Sequence, residues 1–238
     1  MTDLTYYLKG GISGMCGILL SHPLDSIKVH KQLNHNLPFT YSFHNLYKGI
    51  SSPLLGIGLE KSIVFGTYSY CKKQNLNTPL SGAISGLLAS LIVSPYERFK
   101  ILKQSNQPIE NIKINSLFKG LSATFTREVP GFAIYFSTYE KLKSTYINKY
   151  NTVLPLPCSF LFGGMSGGLA WTFIYPQDRI KTIMQSNKDK GNFIQIFKNL
   201  YENGGIKTLY SGFSFAMGRA LLLHSGTFCM MEYLNRKI

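Results

Sequence analysis

The chain has 238 residues, 45% of them hydrophobic and only 15% charged, and its 25 Lys+Arg against 11 Asp+Glu leave a net charge of +14. Soluble domains carry about a quarter charged residues, and disordered chains combine high charge with low hydrophobicity. An ordinary acidic soluble enzyme and a disordered polyelectrolyte are therefore excluded, leaving a basic membrane protein or a compact nucleic-acid binder with a greasy core.

Six apolar runs follow one another, at residues 4–21, 53–70, 80–94, 121–139, 155–175 and 213–231. Most are near the low end of membrane-crossing length, and several gain length from amphipathic turns beyond them. The start of the chain carries neither a secretory signal nor an Arg-rich transit peptide, so any address is expected further along. Glycines recur four residues apart in the first, third and fifth runs, as Gly10/Gly14, Gly82/Gly86 and Gly163/Gly167. In hydrocarbon such spacing lets helix backbones approach closely. Cys16, Cys71, Cys158 and Cys229 stand far apart inside apolar stretches. They suggest buried thiols rather than a zinc site or a disulfide framework.

A motif follows each odd-numbered run. Pro23-x-Asp25-x-x-Lys28-x-x-x-Gln32 recurs as Pro95-x-Glu97-x-x-Lys100-x-x-x-Gln104 and as Pro176-x-Asp178-x-x-Lys181-x-x-x-Gln185. Downstream of each lies an aromatic-x-Gly: Tyr47-Lys48-Gly49, Phe118-Lys119-Gly120 and Tyr210-Ser211-Gly212. Counting on from these glycines keeps one register into Tyr68-Ser69-x-x-Lys72, Tyr139-Glu140-x-x-Lys143 and Met231-Glu232-x-x-Asn235. Three repeats result, residues 1–75, 76–150 and 151–238, forming one integral domain. Only the third has room between its proline and its glycine for an amphipathic surface helix, expected at 192–201 with Phe193, Ile196, Phe197 and Leu200 on one face. The corresponding helices of the first two repeats are expected to be truncated or absent.

The threefold Pro-x-acid-x-x-Lys signature with its aromatic-basic-Gly partner resembles the mitochondrial carrier family (solute carrier family 25), and the resemblance covers essentially the whole chain. The short loops and AT-rich composition resemble the carriers of intracellular parasites or large viruses. The family implies an all-α membrane protein. Six transmembrane helices form three pseudo-symmetric two-helix repeats around a central cavity, with proline-kinked odd helices and, here, shortened matrix loops in repeats 1 and 2. It implies a multi-pass protein of the mitochondrial inner membrane with both termini in the intermembrane space, working as a monomer without a cofactor or metal.

By the same resemblance, the acids and lysines of the signature form a matrix gate of Asp25–Lys100, Glu97–Lys181 and Asp178–Lys28, braced by Gln32, Gln104 and Gln185. Ionisable groups at membrane depth are costly unless paired, which favours this ring over three local surface bridges. A cytosolic gate would join Ser69 to Lys143, Glu140 to Asn235 and Glu232 to Lys72, with Tyr68 and Tyr139 as hydroxyl braces and Met231 lacking one. Only one of these pairs has both charges, so the empty protein is expected to rest open to the cytosolic side. Lys48-Gly49, Lys119-Gly120 and Gly212 begin helices, whose free N–H groups suit phosphate; in the family these positions hold cardiolipin, and other anionic lipids are expected alongside.

The family's substrate contacts fall on Gly56, Ile57, Arg127, Glu128 and Arg219, with Glu60, Lys61 and His224 one turn on. An arginine in mid-span is costly and marks function, and guanidinium forks suit anions. The charge of +14 favours a nucleotide or similar phosphorylated anion, exchanged by alternating access without ATP. The Arg127-Glu128 pair instead resembles carriers of amino acids and related zwitterions. A nucleic-acid binder would need exposed aromatics beside clustered cations, whereas the 15 Tyr and 16 Phe lie mostly in the apolar runs. No nucleophile–base pair or metal spacing supports an enzyme, and an inactive structural relative would not need intact gates.

Overall fold

The computed structural model describes residues 3–33, 42–47, 49–104, 121–185 and 193–237. Every regular element among them is helical: α1 (Asp3–Leu33), α2 (Phe43–Tyr47), α3 (Ser51–Lys73), α4 (Thr78–Gln104), α5 (Leu121–Tyr150), α6 (Leu156–Gln185), α7 (Phe193–Leu209) and α8 (Phe213–Lys237). The six long helices outrun the apolar runs because amphipathic turns continue them, and α1, α4 and α6 pass through Pro23, Pro95 and Pro176 without ending.

Three pairs, α1 with α3, α4 with α5 and α6 with α8, close into a ring through α3 with α4, α5 with α6 and α8 with α1. Glycines set the spacing within the pairs. A Cβ on Gly82 would lie 2.5 Å from Phe132 O, and one on Gly86 2.5 Å from Glu128 O, so α4 and α5 touch backbone to backbone. Both chain ends and the α3–α4 and α5–α6 turns share one face, the termini face; the three prolines lie toward the other, the proline face. The two turns each use an asparagine in the left-handed region, Asn75 at φ 60° and Asn151 at φ 50°.

Polar and apolar residues are arranged inside out. On α4, Leu87, Leu88, Leu91 and Ile92 are exposed while Ser81, Ser85, Ser90 and Ser94 are buried. On α6, Leu161, Met165, Leu169 and Phe173 point outward while Ser159 and Ser166 are buried. Water would reverse this order; lipid as the outer solvent requires it. Three of the inward serines bond their own helix, Ser85 Oγ donating to Gly82 O at 2.8 Å, Ser90 Oγ to Gly86 O at 2.7 Å and Ser166 Oγ to Gly163 O at 2.9 Å, while Ser159 Oγ donates across to Phe228 O on α8 at 3.2 Å. Among the described residues Thr78–Pro95 alone is long and apolar enough to cross a membrane by composition; α6 carries no charge from Leu156 to Gln177, and its glycines, serines and threonine lower its mean hydropathy instead.

The proline and aromatic motifs meet in space. Proline has no N–H, so the carbonyl four residues before it loses its helical partner. Tyr47 Oη donates to Leu19 O at 3.1 Å, four residues before Pro23, and Tyr210 Oη donates to Thr172 O at 2.8 Å, four before Pro176. Next to these bonds, Ser26 Oγ donates to Leu46 O at 2.6 Å, while Tyr175 Oη and Arg179 Nη1 donate to Ser211 O at 2.7 and 2.9 Å. Residue 118, the corresponding aromatic of repeat 2, lies outside the described residues.

The surface helix at 192–201 is present as α7, which continues to Leu209 across Gly204 and Gly205, the latter at φ +62°. Its expected apolar face is only partly used: Ile196 is 2% exposed, but Phe197 is 42% exposed and stacks on Tyr201 instead. In repeat 1 the counterpart shrinks to the five residues of α2; residues 105–120 are not described.

Candidate functional site

A cavity of about 230 Å³ lies at mid-height of the ring, lined from α3, α5, α6 and α8. Ile57, Glu60, Lys61, Arg127, Glu128, Arg219 and His224 all line it, while Gly56 does not. Gly56 occupies, in repeat 1, the register position of Arg127 and Arg219, so two arginines face a site whose third side has no side chain. Trp171, the one tryptophan in the chain, also lines the cavity, with Phe132 and Tyr135. It was not singled out from the sequence, although its position five residues before Pro176 turns it inward.

Every cation on the wall already touches a carboxylate. Lys61 Nζ lies 3.2 Å from Glu60 Oε1 and 4.5 Å from the centre of the Phe132 ring. Arg127 bonds Glu128 beside it and Asp178 Oδ1 at 2.6 Å. Arg219 Nε donates to Asp25 Oδ2 at 2.9 Å. His224 is buried against the Tyr135 ring at 4.8 Å, and its Nδ1 has no hydrogen-bond partner among the described residues.

These contacts tie the cavity to the proline face. Arg127 of repeat 2 reaches the signature acid of repeat 3, and Arg219 of repeat 3 reaches that of repeat 1; at the place of the third such link stands Gly56. The described partners of Asp25 and Asp178 are thus mid-height arginines. The side chains of Lys28, Glu97, Lys100 and Lys181, and of Gln32, Gln104 and Gln185, lie outside the described residues.

The termini face departs from expectation in two ways. Glu232 pairs with Lys143 at 2.7 Å and approaches Arg236 at 3.9 Å rather than meeting Lys72. Lys72 sits in the last turn of α3 and donates to Leu76 O at 3.2 Å and Thr78 Oγ1 at 3.4 Å, where a helix C-terminus attracts a cation. Ser69, Glu140 and Asn235 line a second cavity of about 420 Å³, and neither the Ser69–Lys143 nor the Glu140–Asn235 contact appears among the described residues. Tyr139 Oη bonds Ser159 Oγ at 2.7 Å instead of bracing a charge pair, and the Tyr68 ring stacks on Phe136 at 3.8 Å.

Second, this half of the ring is closed, not open, and aromatic packing closes it. Phe65, Phe136 and Phe228 stand at one register position of the three repeats, 16 residues after Gly49, Gly120 and Gly212. They meet edge to face at 5.3, 5.7 and 6.3 Å between ring centres and are at most 3% exposed. This layer separates the central cavity from the outer one. Charge counting undervalued the closure because it ignored the aromatic contribution, about 0.5–1.5 kcal/mol per ring pair beyond burial.

Of the expected lipid sites, Gly49 and Gly212 take φ of +79° and +84° immediately before α3 and α8, a left-handed turn that explains the glycine of the motif. Lys48, Lys119 and Gly120 lie outside the described residues.

A family model described as "Mitochondrial carrier protein" matches residues 2–78, 109–150 and 153–238. The chain is 29% identical to the mitochondrial carnitine carrier of Saccharomyces cerevisiae, over 97% of this chain and 86% of that protein. It is 30% identical to the mitochondrial glycine transporter YMC1 of the same yeast, over 96% and 90% of the two chains. It is also 30% identical to the mitochondrial magnesium exporter 1 of Drosophila melanogaster, over 96% and 93%.

Proposed function

The chain belongs to the mitochondrial carrier family, and from that premise we propose that it exchanges a small zwitterionic solute, an amino acid or a quaternary-ammonium carboxylate, by alternating access across the membrane. As a family member it is a multi-pass transporter of the mitochondrial inner membrane and not an enzyme.

The observation that carries the substrate class is the charge pattern of the central cavity. A polyanion needs cations whose charge is not already neutralised, and here each lining cation holds a carboxylate. A phosphorylated anion would have to displace several of them at once. A zwitterion needs one exchange at each end. Its carboxylate takes Arg219, in the bidentate geometry a guanidinium offers, and its ammonium group takes Glu60 or Glu128. Trp171 and Tyr135 line the same cavity, and an ammonium group over an aromatic face gains about 1–2 kcal/mol in a desolvated site. The volume, about 230 Å³, is below the roughly 300–1,000 Å³ of sites for drug-sized ligands. The relatives named for carnitine and glycine carry solutes of this charge type.

The same contacts give a coupling. When the substrate carboxylate replaces Asp25 on Arg219, Asp25 is released and the proline face loses a bond linking repeats 1 and 3. The released acid is then free to pair with a signature lysine and close the proline face, so substrate binding offsets the cost of opening the termini face, the differential affinity that alternating access requires. In this reading Lys28, Lys100 and Lys181 receive the released acids. Cardiolipin binds at the Lys48-Gly49, Lys119-Gly120 and Gly212 motifs, less well at the last, which lacks the lysine; the protein acts as a monomer, and its termini lie in the intermembrane space.

The test is uptake into proteoliposomes loaded with a mixture of amino acids and carnitine. Labelled glycine, a basic amino acid or carnitine is expected to enter saturably, and labelled ADP is not. Exchange of ADP, or of Mg²⁺, with no zwitterion transported would overturn the reading.

A further inference from the structure

Lys9 stands in the α1/α8 seam that closes the ring, and it is 2% exposed. A cation that deep in protein is costly unless it is paired and hydrogen-bonded. No described carboxylate comes within ion-pair distance of it. Its described hydrogen-bond partner is the neutral Oδ1 of Asn235, at 3.3 Å. The seam runs antiparallel: below Lys9–Asn235 come Ser13 Oγ on Met231 Sδ at 3.7 Å and then Gly17 against the Leu223–Thr227 turn. Lys9 is therefore at the termini end of a small-residue seam, opposite the position where the third repeat carries Asn235 while the first two carry Lys72 and Lys143.

We propose that Lys9 is a positioning residue of the termini-face gate, a latch that supplies from α1 the positive charge that repeat 3 lacks at Asn235. This rests on the alternating-access reading. Holding Asn235 fixes the last turns of α8, and with them Glu232, which the same turn presents to Lys143. When the termini face opens, α8 parts from α1, and a buried ammonium must find water or another acceptor. The latch therefore biases the protein toward the closed termini face seen here.

The test uses the full chain, with its four native cysteines replaced and a single reporter, Ala170→Cys, in the wall of the central cavity. The protein is reconstituted and treated from either face with a membrane-impermeant maleimide. In the parent, slow labelling from the termini face and faster labelling from the proline face are expected. Lys9→Met keeps length and apolar bulk without charge, and Lys9→Gln keeps a donor without charge. Both should speed termini-face labelling several-fold, and the exchange Lys9→Asn with Asn235→Lys should return it to near the parent rate. Labelling of Lys9→Met and Lys9→Gln at the parent rate overturns the latch, as does an exchange variant that behaves like the single changes. A structural role alone would lower thermal stability in the single variants without this rescue. A parent whose reporter is never reached from the termini face overturns the alternating-access reading and the latch together, so the two failures are told apart.

Discussion

At the scale of single residues, the family motifs become intelligible as solutions to defects that other residues create. Pro23 and Pro176 strand the carbonyls of Leu19 and Thr172, and the hydroxyls of Tyr47 and Tyr210 cover them. Removing either hydroxyl leaves a carbonyl without its donor, at a cost of about 1–3 kcal/mol where the carbonyl is kept from water. Tyr47→Phe and Tyr210→Phe should each lower the melting temperature in detergent by about 2–4 °C per kcal/mol for a chain of this size, while Tyr201→Phe, on the exposed face of α7, should leave it unchanged. Arg219 is a different kind of residue, since its guanidinium both holds Asp25 and faces the cavity. Arg219→Lys keeps the charge but loses the fork. Initial uptake rates should fall at least about tenfold in kcat/KM, the equivalent of about 1.4 kcal/mol, with little change in melting temperature.

At the scale of helices, close backbone approach decides where small residues are obligatory. On Gly86 a methyl group would lie 2.5 Å from the Glu128 carbonyl oxygen, and backbone cannot yield as a side-chain tip can. Gly86→Ala should therefore push α4 from α5 and cost about 1–3 kcal/mol, measurable as a lower melting temperature. Gly218→Ala, with open space around the added methyl, should be neutral or slightly stabilising through the helix propensity of alanine. This contrast shows what the sequence made legible. The glycine spacing, the three prolines and the apolar runs fixed the number of long helices and their pairing, because those features act along one chain. Helix ends were less legible, α1 running to Leu33 and α7 to Leu209, because amphipathic turns extend a helix without apolar contrast. Partners across the ring were least legible. Glu232 had a lysine at the matching position in either other repeat, and residue spacing does not say that Lys143 is the one it meets. Phe65, Phe136 and Phe228 shared a register that could have been counted, yet phenylalanine inside an apolar run gives no signal of its own. Lys9 did break its apolar run and was the visible anomaly.

At the scale of the whole molecule, two cavities are separated by one aromatic layer. Tight coupling requires that a solute in the central cavity never meet a continuous path to the outer one, and the three phenylalanines provide that barrier where the charge pairs are incomplete. An aromatic barrier suits a transporter that must open it, since edge-to-face rings part without leaving a buried charge behind. Ion pairs at the same place would have to be broken in a poorly hydrated setting. Phe136→Ala removes one ring of the three, so the central cavity should join the outer one. In proteoliposomes preloaded with the labelled solute that the wild type exchanges, efflux into solute-free buffer should be slow for the wild type and several-fold faster for Phe136→Ala. Phe136→Leu, which refills most of the volume, should fall between them. Folded Phe136→Ala protein that leaks no faster than the wild type would mean that closure rests on Glu232–Lys143 and its neighbours, and Lys143→Met would then be the variant that leaks.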